Sequence, residues 1–305
     1  MTPPSVWVRA VRPGFLVVTA AAVLVGFAAA SRAGMPPSPM GATLTMLGAL
    51  GAHAAANVLN DVHDARNGGD ALNVDRIAPF TGGSRLIQDG VLDAREMARL
   101  GAWLAGIAAA IGAWLALSAG AGLLGFVAAG ALLGWGYSAP PLALMTRGLG
   151  ELAVGAGWWL VALGSAWVAL GRIDALAVAA PAGYALLVAA ILVVNQLPDR
   201  SADAAVGKRN WVVRLPPSRA RWIHPVLAVG AHALVVGLLV AGRLPPVAVW
   251  SLVSLPLALF AARASLADAS VAARPGRLRT AIVATIAATI LHGVAMAAAL
   301  ALGPG

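Results

Sequence analysis

The sequence predicts an all-α integral membrane protein. It reads as a bundle of nine transmembrane helices, N-terminus inside and C-terminus outside, enclosing a lateral, lipid-accessible cavity under cytoplasmic cap loops. Three observations predict the helices and their orientation. Of 305 residues, 60% are apolar and 11% charged, whereas a soluble chain carries about a quarter charged, so polar groups are too few to cover a water-facing surface. A mean hydropathy of +0.84 agrees. Apolar segments of about 20 residues, the length that crosses the hydrocarbon, recur nine times between charges and Pro/Gly punctuation. Finally, with the N-terminus inside, all but three of the 21 Lys/Arg fall on or beside the inner side, the bias of the positive-inside rule.

The predicted spans are 13–31, 41–60, 96–118, 121–137, 148–170, 173–195, 222–241, 245–264 and 279–302. Arg9 and Arg12 before the first apolar run resemble the start of a signal peptide, but the count of nine requires a retained first helix. Spans four and five carry Gly120, Gly122, Gly155 and Gly157, small residues that let membrane helices approach closely. The outer loops hold only Arg32, Arg172 and Arg243, while two long inner loops, 61–95 and 199–221, hold most of the acids. The absence of cysteine excludes disulfides and thiolate chemistry. The net charge of +9 reads as cytoplasmic loop charge beside a lipid bilayer, and not as a nucleic-acid surface.

Two acidic motifs stand out. Asn57, Asn60, Asp61, Asp64 and Gly68 follow 3–4 spacing, so they share one helix face at the inner end of span two, with Arg66 and Asp70 close behind. Asn195, Asp199 and Asp203 repeat the pattern at the inner end of span six, ahead of Gly207, Lys208 and Arg209. Asn57, Asp61 and Gly69 each precede Asn195, Asp199 and Gly207 by 138 residues. A tandem of four-helix units, 13–147 and 148–264, followed by a ninth helix, produces such an offset, and membrane proteins place sites where repeats meet.

Charge suggests the chemistry. Carboxylates gathered at a membrane face repel one another and are costly near lipid, and magnesium, a hard cation served by oxygen ligands, relieves that cost. Asp61, Asp64, Asp199 and Asp203 are the candidate metal-holding and catalytic residues, able to clamp Mg2+ onto a diphosphate. Arg66, Arg85, Arg147, Lys208 and Arg209 are candidates for the remaining phosphate oxygens. An apolar bundle interior suits a long hydrocarbon tail. A single N-x-x-x-D at a helix end is usually a cap or solvated loop. Two in register, holding with Asp70 five of the chain's 12 acids, favour function.

At these residues the chain resembles the UbiA superfamily of intramembrane prenyltransferases, whose pattern is N-D-x-x-D-x-x-x-D followed by D-x-x-x-D on a nine-helix bundle. Asn60-Asp61-x-x-Asp64 and Asp199-x-x-x-Asp203 match it, whereas Gly68 stands where the first motif often ends in aspartate, with Asp70 two residues on. That variant, together with Asp75-Arg76-Ile77-Ala-Pro79, Gly82-Gly83-Ser-Arg85, Arg147-Gly-Leu-Gly-Glu151 and Gly207-Lys208-Arg209, is similar to the dihydroxynaphthoate prenyltransferases of menaquinone synthesis. The resemblance runs from about residue 10 to the C-terminus. It implies transfer of a polyprenyl group to an aromatic acceptor, 1,4-dihydroxy-2-naphthoate first among them, at a bacterial inner membrane. It also implies that both motifs bind magnesium and diphosphate, with Lys208 and Arg85 assisting.

Other acceptors (4-hydroxybenzoate, homogentisate, a porphyrin or a sugar phosphate) keep the same motifs. A secondary transporter is the rival from another class, and it needs acids near the midplane with access from both sides. Among single residues, Tyr137 is either an interfacial anchor or a site residue. Trp158 and Trp159 either pack at the interface or shield a cation. His53, one turn before Asn57, faces the cavity while His63 points elsewhere, and Arg147 and Glu151 form an i, i+4 pair.

Overall fold

The structure, a computed structural model, describes residues 3–266 and 275–303, and every regular element among them is helical. A short α1 (Pro4–Ala10) leads into α2 (Pro13–Arg32) and α3 (Pro39–Asn67), followed by the single turn α4 (Gly69–Leu72). After an irregular stretch come α5 (Ala94–Ala119), α6 (Gly122–Ser138), a 3-10 turn (Leu144–Thr146), α7 (Gly150–Leu170), α8 (Ala175–Ala179) and α9 (Ala182–Ala205). The chain continues through α10 (Trp211–Arg214), α11 (Pro217–Ala220), α12 (Ile223–Val240), a 3-10 helix (Pro246–Ser254), α13 (Leu255–Leu266) and α14 (Pro275–Leu302).

Among the described residues, eight helical segments are long and apolar enough to cross a bilayer. The ninth, α6, has 17 residues, a rise of about 26 Å against a hydrocarbon core of about 30 Å. Large apolar side chains such as Trp103, Leu117, Val240 and Trp250 stand exposed on the outside of the bundle. That is the inverse of a water-soluble surface and what a lipid environment requires.

The elements differ from expectation in four places. The first acidic motif is helical, as its 3–4 spacing predicts, and the difference is one of length: α3 runs past the predicted end at 60 to Asn67 and stops only at Gly68, whose φ of 82° provides the left-handed cap. Likewise α9 continues through Pro198 to Ala205, so Asp61 and Asp199 belong to helices and not to loops. Their polar faces turn toward protein, so nothing forces the helices to end where the apolar run does. Span six is broken at Pro181 into α8 and α9, since proline has no N–H to continue the ladder. Span eight starts as nine residues of 3-10 helix between Pro245 and Pro256, an unusually long run of that geometry. Arg274, counted among the inner charges, lies outside the described residues.

Small residues set the packing. α2 lies between α7 and α14, and a Cβ on Gly26 would come within 2.0 Å of the Ala162 carbonyl oxygen, so the two backbones touch. Tyr184 is fully buried and donates its hydroxyl to the Val18 carbonyl, tying α9 to α2. His224 bonds Ser265 and Thr285, each at 2.9 Å, and His232 bonds Ser254 at 2.8 Å, which fastens α12 to the segments that follow it. At one end of the bundle the start of α2 and the ends of α3 and α9 border one cavity. At the other, Arg32 donates to the Gly303 carbonyl and Trp167 to that of Ala119.

Gly26→Val must push α2 from α7. It should cost more than the roughly 1–3 kcal/mol typical of overpacking, seen as a lower melting temperature in detergent. Gly125→Ala, where a Cβ meets nothing within 4 Å, should leave the melting temperature unchanged.

Candidate active site

The inner ends of α3 and α9 bring the two motifs face to face, and Lys208 closes the gap. Its Nζ lies 2.9 Å from Asp64 Oδ1 and 3.1 Å from Asp203 Oδ1. The segment between α4 and α5 folds over this pair and is held by both motifs. Asn73 donates to Asp199 at 2.7 Å, and the Ser84 amide donates to Asp61 at 2.9 Å. Gly83, at φ 68°, admits no side chain, because a Cβ would fall 2.5 Å from Asp70 Oδ2 and 3.0 Å from Asp61 Oδ1. Asn210 donates to Asp203 at 2.8 Å.

Asp61, Asp64, Asp70 and Asp203 are all buried and Asp199 is half-buried. Burial first, then repulsion from Asp64 and Asp61, pushes the Asp70 carboxyl up to about 7 against the pull of Lys208. Burial alone would depress the Lys208 ammonium, but Asp64 and Asp203 outweigh it and hold the group charged above its ordinary value. Among the described residues several buried oxygens accept no hydrogen bond: Asn73 Oδ1, Asn195 Oδ1, Gln196 Oε1 and Asp61 Oδ1, which has only the Arg12 guanidinium at 3.9 Å. Uncompensated acceptors at this density ask for a cation or a donor, and an all-oxygen set suits a hard divalent ion. Among the described residues, no three His, Cys, Asp or Glu side chains are gathered tightly enough to hold a metal unaided. The donor set therefore fits magnesium when further oxygens arrive with a diphosphate.

The acids form the mouth of a cavity of about 330 Å³. Asp64, Asp70, Asp199, Asp203, Asn57, Asn60, Asn195, Tyr137 and Lys208 all line it, while Asp61 sits just behind the wall. Asn60 donates to Ser138 Oγ at 3.0 Å and Asn57 to the Val11 carbonyl at 3.1 Å. Deeper, the lining turns apolar with Phe15, Leu133, Val154, Val161 and Ile191, interrupted by Thr19, His53 and Trp158.

The basic candidates separate. Arg66, Arg147 and Arg209 are exposed and lie outside the cavity lining: Arg66 sits in the last turn of α3, off the face of Asp64, and Arg147 and Arg209 each follow a turn that directs them outward. Arg147 donates to the Pro141 carbonyl. The Arg147–Glu151 pair does not form: Glu151 is buried and accepts from the Trp211 amide, a bond that draws it inward and away from Arg147. Arg85 lies behind the wall, donating to the Asp70 carbonyl at 2.5 Å and standing 3.7 Å from Asp89. Trp159 is no site residue, since its indole donates to Val178 in the core at the far side, while Trp158 lines the cavity. His63 is not part of the lining.

Sequence reading missed Arg12, which lines the cavity 3.9 Å from Asp61 and donates to the Phe80 carbonyl. It was read only as charge flanking a span. Asn73 and Asn210 were missed too, being polar residues in a polar stretch. Only their approach to the second motif marks them.

Comparison with known proteins gives a consistent result. Residues 19–278 match the model of the UbiA prenyltransferase family. The 1,4-dihydroxy-2-naphthoate octaprenyltransferase of Escherichia coli is 30% identical over 234 residues, covering 74% of this chain and 73% of that protein. That of Haemophilus influenzae is 29% identical over 240 residues, covering 73% of each. Among solved structures, an apo UbiA homolog from Aeropyrum pernix superposes with a TM-score of 0.68 at 21% identity, over 91% of this chain and 96% of that one. A homolog from Archaeoglobus fulgidus bound to DMAPP and Mg2+ gives 0.57 at 18%, over 96% and 99%. The chain is a multi-pass membrane protein and an enzyme of the UbiA prenyltransferase family.

Proposed function

We propose that the protein transfers a polyprenyl group from its diphosphate to 1,4-dihydroxy-2-naphthoate, with magnesium, at the cytoplasmic face of a bacterial inner membrane. The observation that carries this reading is the meeting of two aspartate motifs, linked by Lys208, at the polar mouth of a cavity whose depth is apolar. The two curated relatives bear the name of that activity, and one solved homolog is described as bound to DMAPP and Mg2+. The same reading takes α6 as a crossing helix, giving nine with the N-terminus inside, and takes the 138-residue offset as a four-helix repeat plus a ninth helix. Arg32 and Gly303 meeting at the end away from the acids support that orientation.

Asp64, Asp199 and Asp203, with Asp61 behind the wall, are the residues that would hold the metal, and Asp70 lines the mouth beside them. Magnesium bound there would offset the charge of the diphosphate as it departs. Lys208, already poised between two carboxylates, supplies N–H donors to a phosphate oxygen, and Asn57, Asn60 and Asn195 hold the polar end of the substrates. When the prenyl C–O bond breaks, its electron pair stays with diphosphate and the allylic carbon becomes electrophilic. The ring carbon of the acceptor bonds to it, and the carboxyl group leaves as carbon dioxide. The apolar wall keeps water, the competing nucleophile, away from that carbon.

The test is a product assay in detergent with magnesium, a polyprenyl diphosphate and a panel of aromatic acceptors, read by mass spectrometry. A prenylated, decarboxylated naphthoquinol is expected, and product from another acceptor instead would reassign the substrate. Asp61→Ala and Asp199→Ala should each lower turnover by on the order of 10²-fold or more while the melting curve stays cooperative. Chelation should abolish turnover and added Mg2+ restore it. Arg147→Ala, on the outside, should leave the KM for prenyl diphosphate within about twofold, as exposed charges do. A tenfold rise would return Arg147 to the site.

A further inference from the structure

One polar cluster in the cavity plays no part in the metal and diphosphate chemistry. His53 on α3, Thr19 on α2 and Trp158 on α7 meet in the otherwise apolar depth, about two helical turns (roughly 12 Å) from Asp61 along α3. Trp158 Nε1 donates to Thr19 Oγ1 at 3.1 Å, and Thr19 Oγ1 shares a bond with His53 Nδ1 at 2.8 Å. The imidazole meets the Trp158 ring edge-on, with centroids 4.8 Å apart. These contacts fix the ring by its Nδ1 side. Nε2 makes no hydrogen bond among the described residues, on a residue that lines the cavity.

An imidazole at membrane depth is costly unless it is paired or used. A prenyl tail offers nothing to pair with, because it is hydrocarbon throughout. An aromatic acceptor bearing hydroxyl groups does. A hydroxyl both donates and accepts, so it complements Nε2 in either tautomer of the histidine, and Trp158 provides a flat apolar face beside it. We propose that His53, held by Thr19 and Trp158, binds a ring hydroxyl of the aromatic acceptor and so places the acceptor on the α2–α3–α7 side of the cavity. This inference rests on the acceptor reading above and adds the residue that selects for the hydroxyl.

The experiment pairs a change in the protein with a change in the acceptor. Steady-state kinetics are measured for wild type, His53→Leu and His53→Gln with 1,4-dihydroxy-2-naphthoate and with its two mono-hydroxy analogues. Wild type should prefer the dihydroxy acceptor over one of the analogues by about tenfold in kcat/KM, the size of one hydrogen bond. In His53→Leu that preference should disappear, with the KM for the acceptor raised and the KM for prenyl diphosphate unchanged. Gln, which keeps a donor and an acceptor, should recover part of it. Trp158→Phe, which leaves Thr19 without its donor, should fall between. Discrimination that survives intact in a folded His53→Leu enzyme overturns the proposal, as does a rise confined to the KM for prenyl diphosphate. If wild type turns over no naphthoate at all, the acceptor reading itself has failed, and the two failures are distinct.

Discussion

Everything at the working end of this bundle depends on how five carboxylates are kept beside an apolar interior. Lys208 gives the structural answer, since one ammonium sits between Asp64 and Asp203 and makes the two motifs a single unit. Removing one partner from a buried pair costs about 3–5 kcal/mol, so the lysine holds α3 and α9 in register as well as balancing charge. Lys208 and Arg12, which stands 3.9 Å from Asp61, do not balance five acids. The oxygens of Asp61, Asn195 and Gln196 accept no hydrogen bond among the described residues, and the shortfall in charge matches a ligand that brings more positive charge than the protein supplies.

The covering segment follows from the same constraint. A loop with large side chains could not lie against Asp61 and Asp70, and Gly83 lets backbone approach where even a methyl group would collide. The segment instead offers an amide at Ser84 and a carboxamide at Asn73. These are neutral donors that ease the acids without neutralising them, and they leave the site electrostatically unfinished.

Much of this was legible in the sequence. The spans came from apolar length, and the motif residues came from 3–4 spacing on faces that proved to line one cavity. The arginines show the limit of such reading. Charge near a motif says nothing of direction, and Arg66, Arg147 and Arg209 turn outward while Arg12, remote in sequence, turns in. Glu151 looked like half of an ion pair because the bond it makes, to the Trp211 amide, spans 60 residues. The helix breaks at Pro181 and the 3-10 start of span eight were written in prolines that hydropathy alone passes over. His53 was placed on the cavity by its spacing, but its partners come from two other helices and no local pattern reveals them.

The first dozen residues carry a consequence of their own. They read like the start of an export signal, yet Ala10 is completely buried, Val6 and Trp7 pack against Val58, Val62 and Leu86, and the Val11 carbonyl receives Asn57. Loss of this stretch would take Arg12 out of the cavity lining and strip the packing from Val58 and Val62 behind it. The N-terminal edge is therefore a poor place for a purification handle or reporter, which would crowd the reacting end. The C-terminal end of α14, beside Arg32 on the far side, offers a fusion point well away from it.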